Sequence, residues 1–394
     1  MKYVAILGCG VVGGGVARLF TERTERIARA VGEPVQLKYI LERRNCSGEP
    51  WAGLVTDDFS KIENDPELTV VCECMGGVGA ALTFVRRCLK AGKSVVTSNK
   101  QLIAEYGLEL LGLAKEGGCS LRFEAAVGGG IPLLRPLSED LAVNRIDEVF
   151  GIVNGTTNYI LTQMIENDRG FAEALSEAQA LGYAEADPSA DVDGFDAQRK
   201  LCILANLAFG SNLPPERVSA EGIRNVAAED VACAREFGCA VKLIAHAGRL
   251  PDDRITALVA PRLVDLDRPL ASVNGVMNGV VVRGDAVGEC LFYGAGAGRM
   301  PTASAVVGDA LEALRHGDRS PFDWGEERPE RFVDPETLPF RWFVRWEGET
   351  PAGITEVCAD GGHGYAGISP AWTRAQLDEA TAGRRVLSRI RLLE

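Results

Sequence analysis

The sequence predicts an α/β protein: a doubly wound parallel sheet at the N-terminus, then an α+β domain, then a small α+β C-terminal appendage. Three observations carry that reading. A short apolar strand at residues 3–7 runs directly into a glycine-rich turn that opens a helix. Strand and helix patterns then alternate to residue 124, the order that lays parallel strands side by side. Beyond residue 240 strands follow one another with little helix between them, which favours antiparallel pairing. At 394 residues the chain is also too long for one ordinary core.

The first turn is Gly8-Cys-Gly10-Val11-Val12-Gly13-Gly-Gly15, with a helix starting near residue 16. Gly8 suits the tight turn, Gly10 lets a pyrophosphate approach the backbone, and Gly13 allows close packing of helix on strand. The N–H groups of the helix start then face the phosphates. A bare βα turn is the alternative, and the flanking strand and helix favour a nucleotide site. The second strand, 35–41, ends in Glu42-Arg43-Arg44. An acid there usually holds a ribose 2′-hydroxyl, whereas arginines accept a 2′-phosphate. Two arginines outweigh one glutamate, so the reading leans to NADP and leaves NAD open.

The sheet continues through strands 68–73, 94–97 and 120–124, with helices 80–90 and 101–115 between them. Two strand ends, Cys72-Glu-Cys-Met-Gly76-Gly77 and Val96-Thr97-Ser98-Asn-Lys100, leave at the carboxyl edge, where ligands of such sheets bind. Taken alone, Lys100 reads as an exposed lysine near a helix start. Next, Phe123-Glu124-Ala-Ala-Val127-Gly-Gly129-Gly-Ile131-Pro132 cannot be regular structure. Its free carbonyls could hold a cation, but the residues alone favour a domain-crossing loop.

A strand at 149–153 ends in Asn154-Gly-Thr156-Thr-Asn-Tyr159, whose polar side chains serve as caps or substrate contacts before a helix at 160–166. After a helix at 171–181 comes the stretch Gly182 to Lys200, where Glu185, Asp187, Asp191, Asp193 and Asp196 precede one lysine. An EF-hand reading fails, because position one would be Ser189 and position twelve Lys200. At about 100° per residue, Asp196 and Lys200 fall beside Ile203, Leu204 and Leu207, away from Gln198, Arg199, Cys202 and Asn206. An ion pair aimed at an apolar interior is costly and often functional, with a structural pair as the alternative.

Helices at 215–222 and 228–239 lead to strands at 241–249, 255–259, 276–283 and 288–293, a sheet able to support subunit pairing. A second glycine loop, 294–298, opens a helix at 302–315. A charged, proline-containing linker at 317–338 precedes strands at 340–346 and 385–393.

Net charge of −13 argues against a nucleic-acid partner and suits a protein handling small molecules. No apolar run reaches 18 residues, and the N-terminus enters a strand directly, so neither a membrane span nor a signal peptide is expected. Eleven scattered cysteines without a C-x-x-C read as reduced thiols of a cytoplasmic protein. With only His246, His316 and His363, none near the acidic motif, a zinc site or a histidine triad is not expected. Proton transfer would fall to a lysine or a carboxylate.

Together the glycine loop 8–15, Thr97–Lys100, Phe123–Pro132, Gly151-Ile-Val-Asn-Gly-Thr-Thr-Asn-Tyr-Ile160, Gly182–Lys200 and Gly294–Ser304 make the chain resemble a homoserine dehydrogenase over roughly its first 320 residues. The resemblance implies reversible NAD(P)H-dependent reduction of L-aspartate 4-semialdehyde to L-homoserine, a step towards threonine and methionine. It implies Lys200 as the acid–base residue and Lys100 beside the reacting carbonyl and nicotinamide. Glu185, Asp196, Asp191 and Thr156 would bind substrate. Gly8, Gly10, Val11, Val12, Gly13, Gly15, Arg43, Arg44, Gly76, Thr97, Ser98, Lys100, Gly182 and Gly298 would bind cofactor. A structural sodium ion would sit on backbone carbonyls of Glu124, Val127, Gly129 and Ile131.

The implied partition is a Rossmann domain at 1–131, with 300–318 returning to it, and a substrate and oligomerisation domain at 132–299. A linker at 319–338 and a small domain at 339–394 follow, the latter with a degenerate ACT regulatory domain as one reading. A homodimer or homotetramer, and no aspartate kinase fusion, are further expectations. Arg43-Arg44 departs from the family's usual Arg-Asp, which strengthens NADP. The competing reading is a catalytically silent NADP-binding or metabolite-sensing relative.

Overall fold

Six parallel strands form the first sheet: β1 (Lys2–Leu7), β2 (Val35–Leu41), β3 (Val55–Thr56), β4 (Leu68–Glu73), β5 (Ser94–Thr97) and β6 (Leu121–Arg122). Their order is β3-β2-β1-β4-β5-β6, so the direction of winding reverses between β1 and β4. The computed structural model describes residues 1–354, 356–359 and 364–394, and His363 lies outside them. The chain divides into two units, the first comprising Met1–Arg145, Cys202–Pro214 and Gly294–Glu327.

The core of the first unit is apolar because parallel strands are covered on both faces. Val4, Ile6, Val70, Cys72 and Val96 pack with Ala17 and Phe20 of helix α1 (Val11–Glu22), and with Ala303, Val306 and Ala310 of the helix Arg299–Arg315. Glycine is required where α1 meets that helix, since a Cβ on Gly15 would stand 2.9 Å from the Ala303 Cβ. The strand expected at 120–124 is shortened to β6, and the chain turns into a 3₁₀ helix at Glu124–Ala126. The cause is Glu124: its buried carboxylate accepts from the N–H groups of Leu133, Leu134 and Arg135 at 2.5, 2.8 and 2.7 Å, capping the next short helix.

The second unit comprises Ile146–Leu201, Pro215–Tyr293 and Arg328–Glu394. Its strands are β7 (Ile146–Ile152), β8 (Ser219–Ala220), β9 (Cys239–Arg249), β10 (Ile255–Asp265), β11 (Met277–Gly284), β12 (Gly288–Ala295), β13 (Trp342–Glu347), β14 (Glu356–Ala359), β15 (Tyr365–Ile368) and β16 (Arg385–Leu392). They form a mixed sheet in the order β12-β11-β7-β9-β10-β16-β13-β15-β14, with β8 beside β10. The central pairs β7–β9, β9–β10 and β7–β11 are antiparallel, as the strand spacing predicts.

Two local expectations change. The helix expected at 215–222 is a 3₁₀ turn at Pro215–Arg217 followed by β8, which pairs in parallel with Leu258 and Val259. Hydrogen bonding to a neighbouring strand overrides local propensity there. The C-terminal segment has its own small core of Trp342, Val344, Trp346, Ile354 and Leu377, yet it does not close a separate sheet. β16 pairs antiparallel with β13 and in parallel with β10, Arg262 opposite Arg391, so these strands extend the second unit's sheet.

Candidate active site

The first unit carries a cavity of about 430 Å³ at the carboxyl edge of its sheet, lined among others by Gly8, Gly10, Glu42, Arg43, Arg44 and Met75. Gly8 has φ +85°, and a Cβ on Gly13 would lie 1.9 Å from the Gly8 carbonyl oxygen, so both glycines are obligatory. Helix α1 starts after Gly10 with no side-chain cap, leaving its first N–H groups for an anion. Val11 is exposed at this start, while Val12 leans on the core and Gly15 serves the packing described above.

Glu42 is already engaged at the end of β2. Its carboxylate accepts from Cys9 N at 2.9 Å, Arg43 N at 2.9 Å, Arg44 N at 3.1 Å and the Arg44 guanidinium at 2.6 Å. The Arg44 guanidinium, with these N–H groups, holds its pKa down at about 2. Both arginines are exposed.

Beyond the cavity, one hydrogen-bonded chain ties the ends of β4 and β5. Glu73 accepts from Met75 N at 2.7 Å and from the Thr97 hydroxyl at 2.5 Å. Thr97 Oγ1 accepts from Asn99 N at 2.9 Å, and Asn99 Nδ2 donates to the Gly77 carbonyl at 2.6 Å. Burial raises the Glu73 pKa. Asn99 caps the helix Lys100–Glu116, so Lys100 is its first residue, with Ser98 just before it. Gly76 (φ +76°) lies in the loop after β4.

The predicted cation loop follows. Gly128 and Gly129 have φ of +74° and +55°, and a Cβ on Gly129 would sit 2.5 Å from the Gly296 carbonyl oxygen. The 127–131 loop is thus packed against the glycine loop 294–298. Gly298 (φ +116°) precedes the helix Arg299–Arg315. Among the described residues, no backbone N–H donates to the carbonyls of Val127, Gly129 or Ile131.

The second unit gathers the charged cluster. Helix Phe195–Phe209 begins there and carries Asp196 and Lys200 one turn apart. Lys200 Nζ lies 2.7 Å from Asp196 Oδ2 and donates to the Val153 carbonyl at 2.7 Å. The two side chains are only 10% and 8% exposed, which places the pair inside, as the helical spacing predicts. The opposite side of the helix is not polar, however: Cys202 and Asn206 are fully buried. Asn206 Oδ1 accepts from Leu213 N at 2.6 Å, while its buried Nδ2 has no hydrogen-bond partner among the described residues.

Asp191 joins the pair through Asn154, whose Nδ2 donates to Asp191 Oδ1 at 2.6 Å and to Asp196 Oδ2 at 2.8 Å. Burial, then the like charge of Asp196, raises the Asp191 pKa. Thr156 Oγ1 donates to the Tyr183 carbonyl at 2.7 Å, fixing the loop that holds Gly182 (φ +76°). Glu185 is not drawn in: it is exposed, and its carboxylate makes no hydrogen bond among the described residues.

The two acidic residues with no role in the sequence reading are structural. Asp187 accepts from Ser189 N and Oγ, and Asp193 pairs with Arg224 at 2.5 Å. Asn154 is the group that sequence reasoning left as a cap or contact. The signal available was an asparagine at an N-cap position, which says nothing of the second hydrogen-bonding end. His246 is a half-buried sheet residue, edge-on to Phe150, with its pKa lowered by desolvation. All eleven cysteines are free thiols, and burial raises Cys72 to about 12, so it stays protonated.

Residues 8–124 match the family model "Homoserine dehydrogenase, NAD binding domain", and residues 132–311 match "Homoserine dehydrogenase". The homoserine dehydrogenase of Bacillus subtilis is 44% identical, covering 79% of this chain and 73% of the relative. That of Mycobacterium tuberculosis is 40% identical over 98% of this chain and 89% of its own length. The crystal structure of the enzyme from Thiobacillus denitrificans superposes with a TM-score of 0.91 at 35% identity, covering 100% of this chain and 98% of that one. A hyperthermophilic archaeal homoserine dehydrogenase mutant in complex with NADPH gives 0.68 at 31% identity over 79% of this chain and 98% of its own.

Proposed function

The chain belongs to the homoserine dehydrogenase family, and from that premise we propose how its own groups divide the chemistry. It is an NAD(P)-dependent oxidoreductase that interconverts L-homoserine and L-aspartate 4-semialdehyde. A bound nicotinamide supplies or accepts the hydride. The single observation that carries the assignment is Lys200: two of its N–H groups are used, by Asp196 and the Val153 carbonyl. The third has no partner among the described residues, and an ammonium makes three such bonds. A substrate oxygen takes that place. When the aldehyde is reduced, Lys200 gives this proton to the nascent alkoxide; in the other direction it removes the hydroxyl proton. Asp196 keeps the ammonium aimed, and burial strengthens every charge interaction at the site.

Asp191 and Asp196 take the substrate ammonium, with Thr156 and Glu185 in support. Exposed Glu185 reaches the cluster only if its loop closes on substrate. Lys100 adds a second positive charge for the developing oxyanion. The first unit takes the dinucleotide on Gly8, Gly10 and the start of α1. NADP is the preferred form: the Glu42 carboxylate already carries four hydrogen bonds, while Arg43 and Arg44 stand exposed at the cavity. A sodium ion fits the carbonyls of Glu124, Val127, Gly129 and Ile131 as a structural ion, which the unbonded carbonyls of the last three support. Exposed Leu291 and Tyr293 on β12 support a homodimer, and the free thiols a cytoplasmic setting.

The test is direct. Purified protein with homoserine and NADP⁺ generates NADPH absorbance, faster than with NAD⁺ at equal concentration. Absence of turnover with either cofactor in mildly alkaline buffer sinks the assignment.

A further inference from the structure

Asn154 does two jobs with opposite ends of one side chain. It is the N-cap of the helix Gly155–Asn167: its Oδ1 accepts from Thr157 N at 2.8 Å and from the Thr157 hydroxyl at 2.8 Å. Its Nδ2 spends both hydrogens on two different carboxylates, Asp191 Oδ1 and Asp196 Oδ2. Only the first job is needed to end a strand and start a helix, and serine or aspartate does it as well.

The second job is unusual in its setting. Asn154 is buried, at 5% exposure, and two carboxylates converge on it. Like charges this close repel unless a donor stands between them. The oxygen Asn154 grips on Asp196 is the one that receives Lys200, so Asp196 Oδ2 is shared between an amide and an ammonium. The next residue back, Val153, gives Lys200 its other acceptor. The charged groups in this set are Asp191, Asp196 and Lys200.

From this geometry we infer that Asn154 is a positioning residue for the reaction: its amide yokes Asp191 and Asp196 and limits how strongly Asp196 holds the Lys200 proton. The inference rests on the assignment of Lys200 made above. Without the amide, Asp196 turns its full charge on the ammonium, and Lys200 keeps its proton to higher pH. Homoserine oxidation, which needs the neutral amine, then starts at higher pH.

Asn154→Ser separates the two jobs, since serine caps the helix but donates a single hydrogen bond. The expected result is a melting temperature close to that of the wild type and a KM for NADP⁺ within about twofold, with kcat/KM for homoserine down by about 10-fold or more. The acid limb of its pH profile moves up by about half a unit to one unit. Asn154→Asp also keeps the cap but adds a third carboxylate, and moves the limb further up. Wild-type kcat/KM and an unmoved limb in folded Asn154→Ser overturn the inference. So does lost activity with the limb unmoved in both variants, because that is what a cap alone would produce. Lys200→Ala run alongside keeps the two ideas apart: turnover retained there sinks the reading of Lys200, whatever the serine variant does.

Discussion

The glycine-lined cavity of the first unit and the charged cluster of the second are built from different materials. The cavity is built around backbone: two glycines and a helix start without a cap. Of its charged side chains, Arg43 and Arg44 stand at the rim in solvent. The cluster is made of side chains, and Asp196, Lys200 and Asn154 are each buried and hydrogen-bonded to another member or its neighbour. A backbone site should be intolerant at glycine and forgiving elsewhere. A buried charge set should fail as a unit, because removing one partner strands another.

The largest effect is expected in the cluster. Lys200→Ala should lower kcat by about 10²–10⁴-fold while the protein still binds NADP⁺, measured by steady-state kinetics and cofactor titration. Comparable loss from a rim arginine would break the contrast. Next comes Gly13→Ala, where the new Cβ meets the Gly8 carbonyl. Overpacking of this kind costs about 1–3 kcal/mol or more, read as a lower melting temperature together with lost dinucleotide affinity. Arg44→Ala should cut kcat/KM for NADP⁺ by about 10-fold, with NAD⁺ much less affected, the scale of one lost charge-assisted hydrogen bond. An equal loss for both cofactors would remove the case for NADP preference.

Smaller again is an effect of pH at Lys242, a fully buried lysine that donates to the Val273 carbonyl at 2.8 Å and Asn274 Oδ1 at 2.7 Å. Burial lowers its pKa from 10.5 to about 8. Between those values the unfolded chain binds the extra proton, so this group's contribution to stability rises with pH through that window. Melting curves against Lys242→Met should therefore shift in favour of the wild type as pH rises from 8. The smallest effect is Asp193→Ala. It removes a surface pair with Arg224 and should change stability by less than about 1 kcal/mol and leave kcat alone.

Legibility in the sequence divides along the same line. The glycine loop, the parallel order and the carboxyl-edge strand ends follow from local pattern, because a tight turn needs glycine and a helix start needs exposed N–H groups. The inward aim of Asp196 and Lys200 also follows from helical spacing. What spacing missed was the other side of that helix, since Cys202 and Asn206 look surface-like in sequence and are fully buried. Asp187 and Asp193 look like members of the cluster but serve a turn and a surface pair. The segment 215–222 read as helix because a strand partner 39 residues away carries no local signature.

By itself, then, the sequence determined the class of fold, the glycine turn and the inward aim of the Asp196–Lys200 pair, because each rests on contacts within one turn or one strand–helix unit. Tertiary structure alone decided that the C-terminal strands join the second sheet through β10 and β16, and that Asn154 grips two aspartates 37 and 42 residues further along. Both depend on pairings between distant segments, and the energy of such a pairing lies in where the chain returns rather than in either segment's own residues.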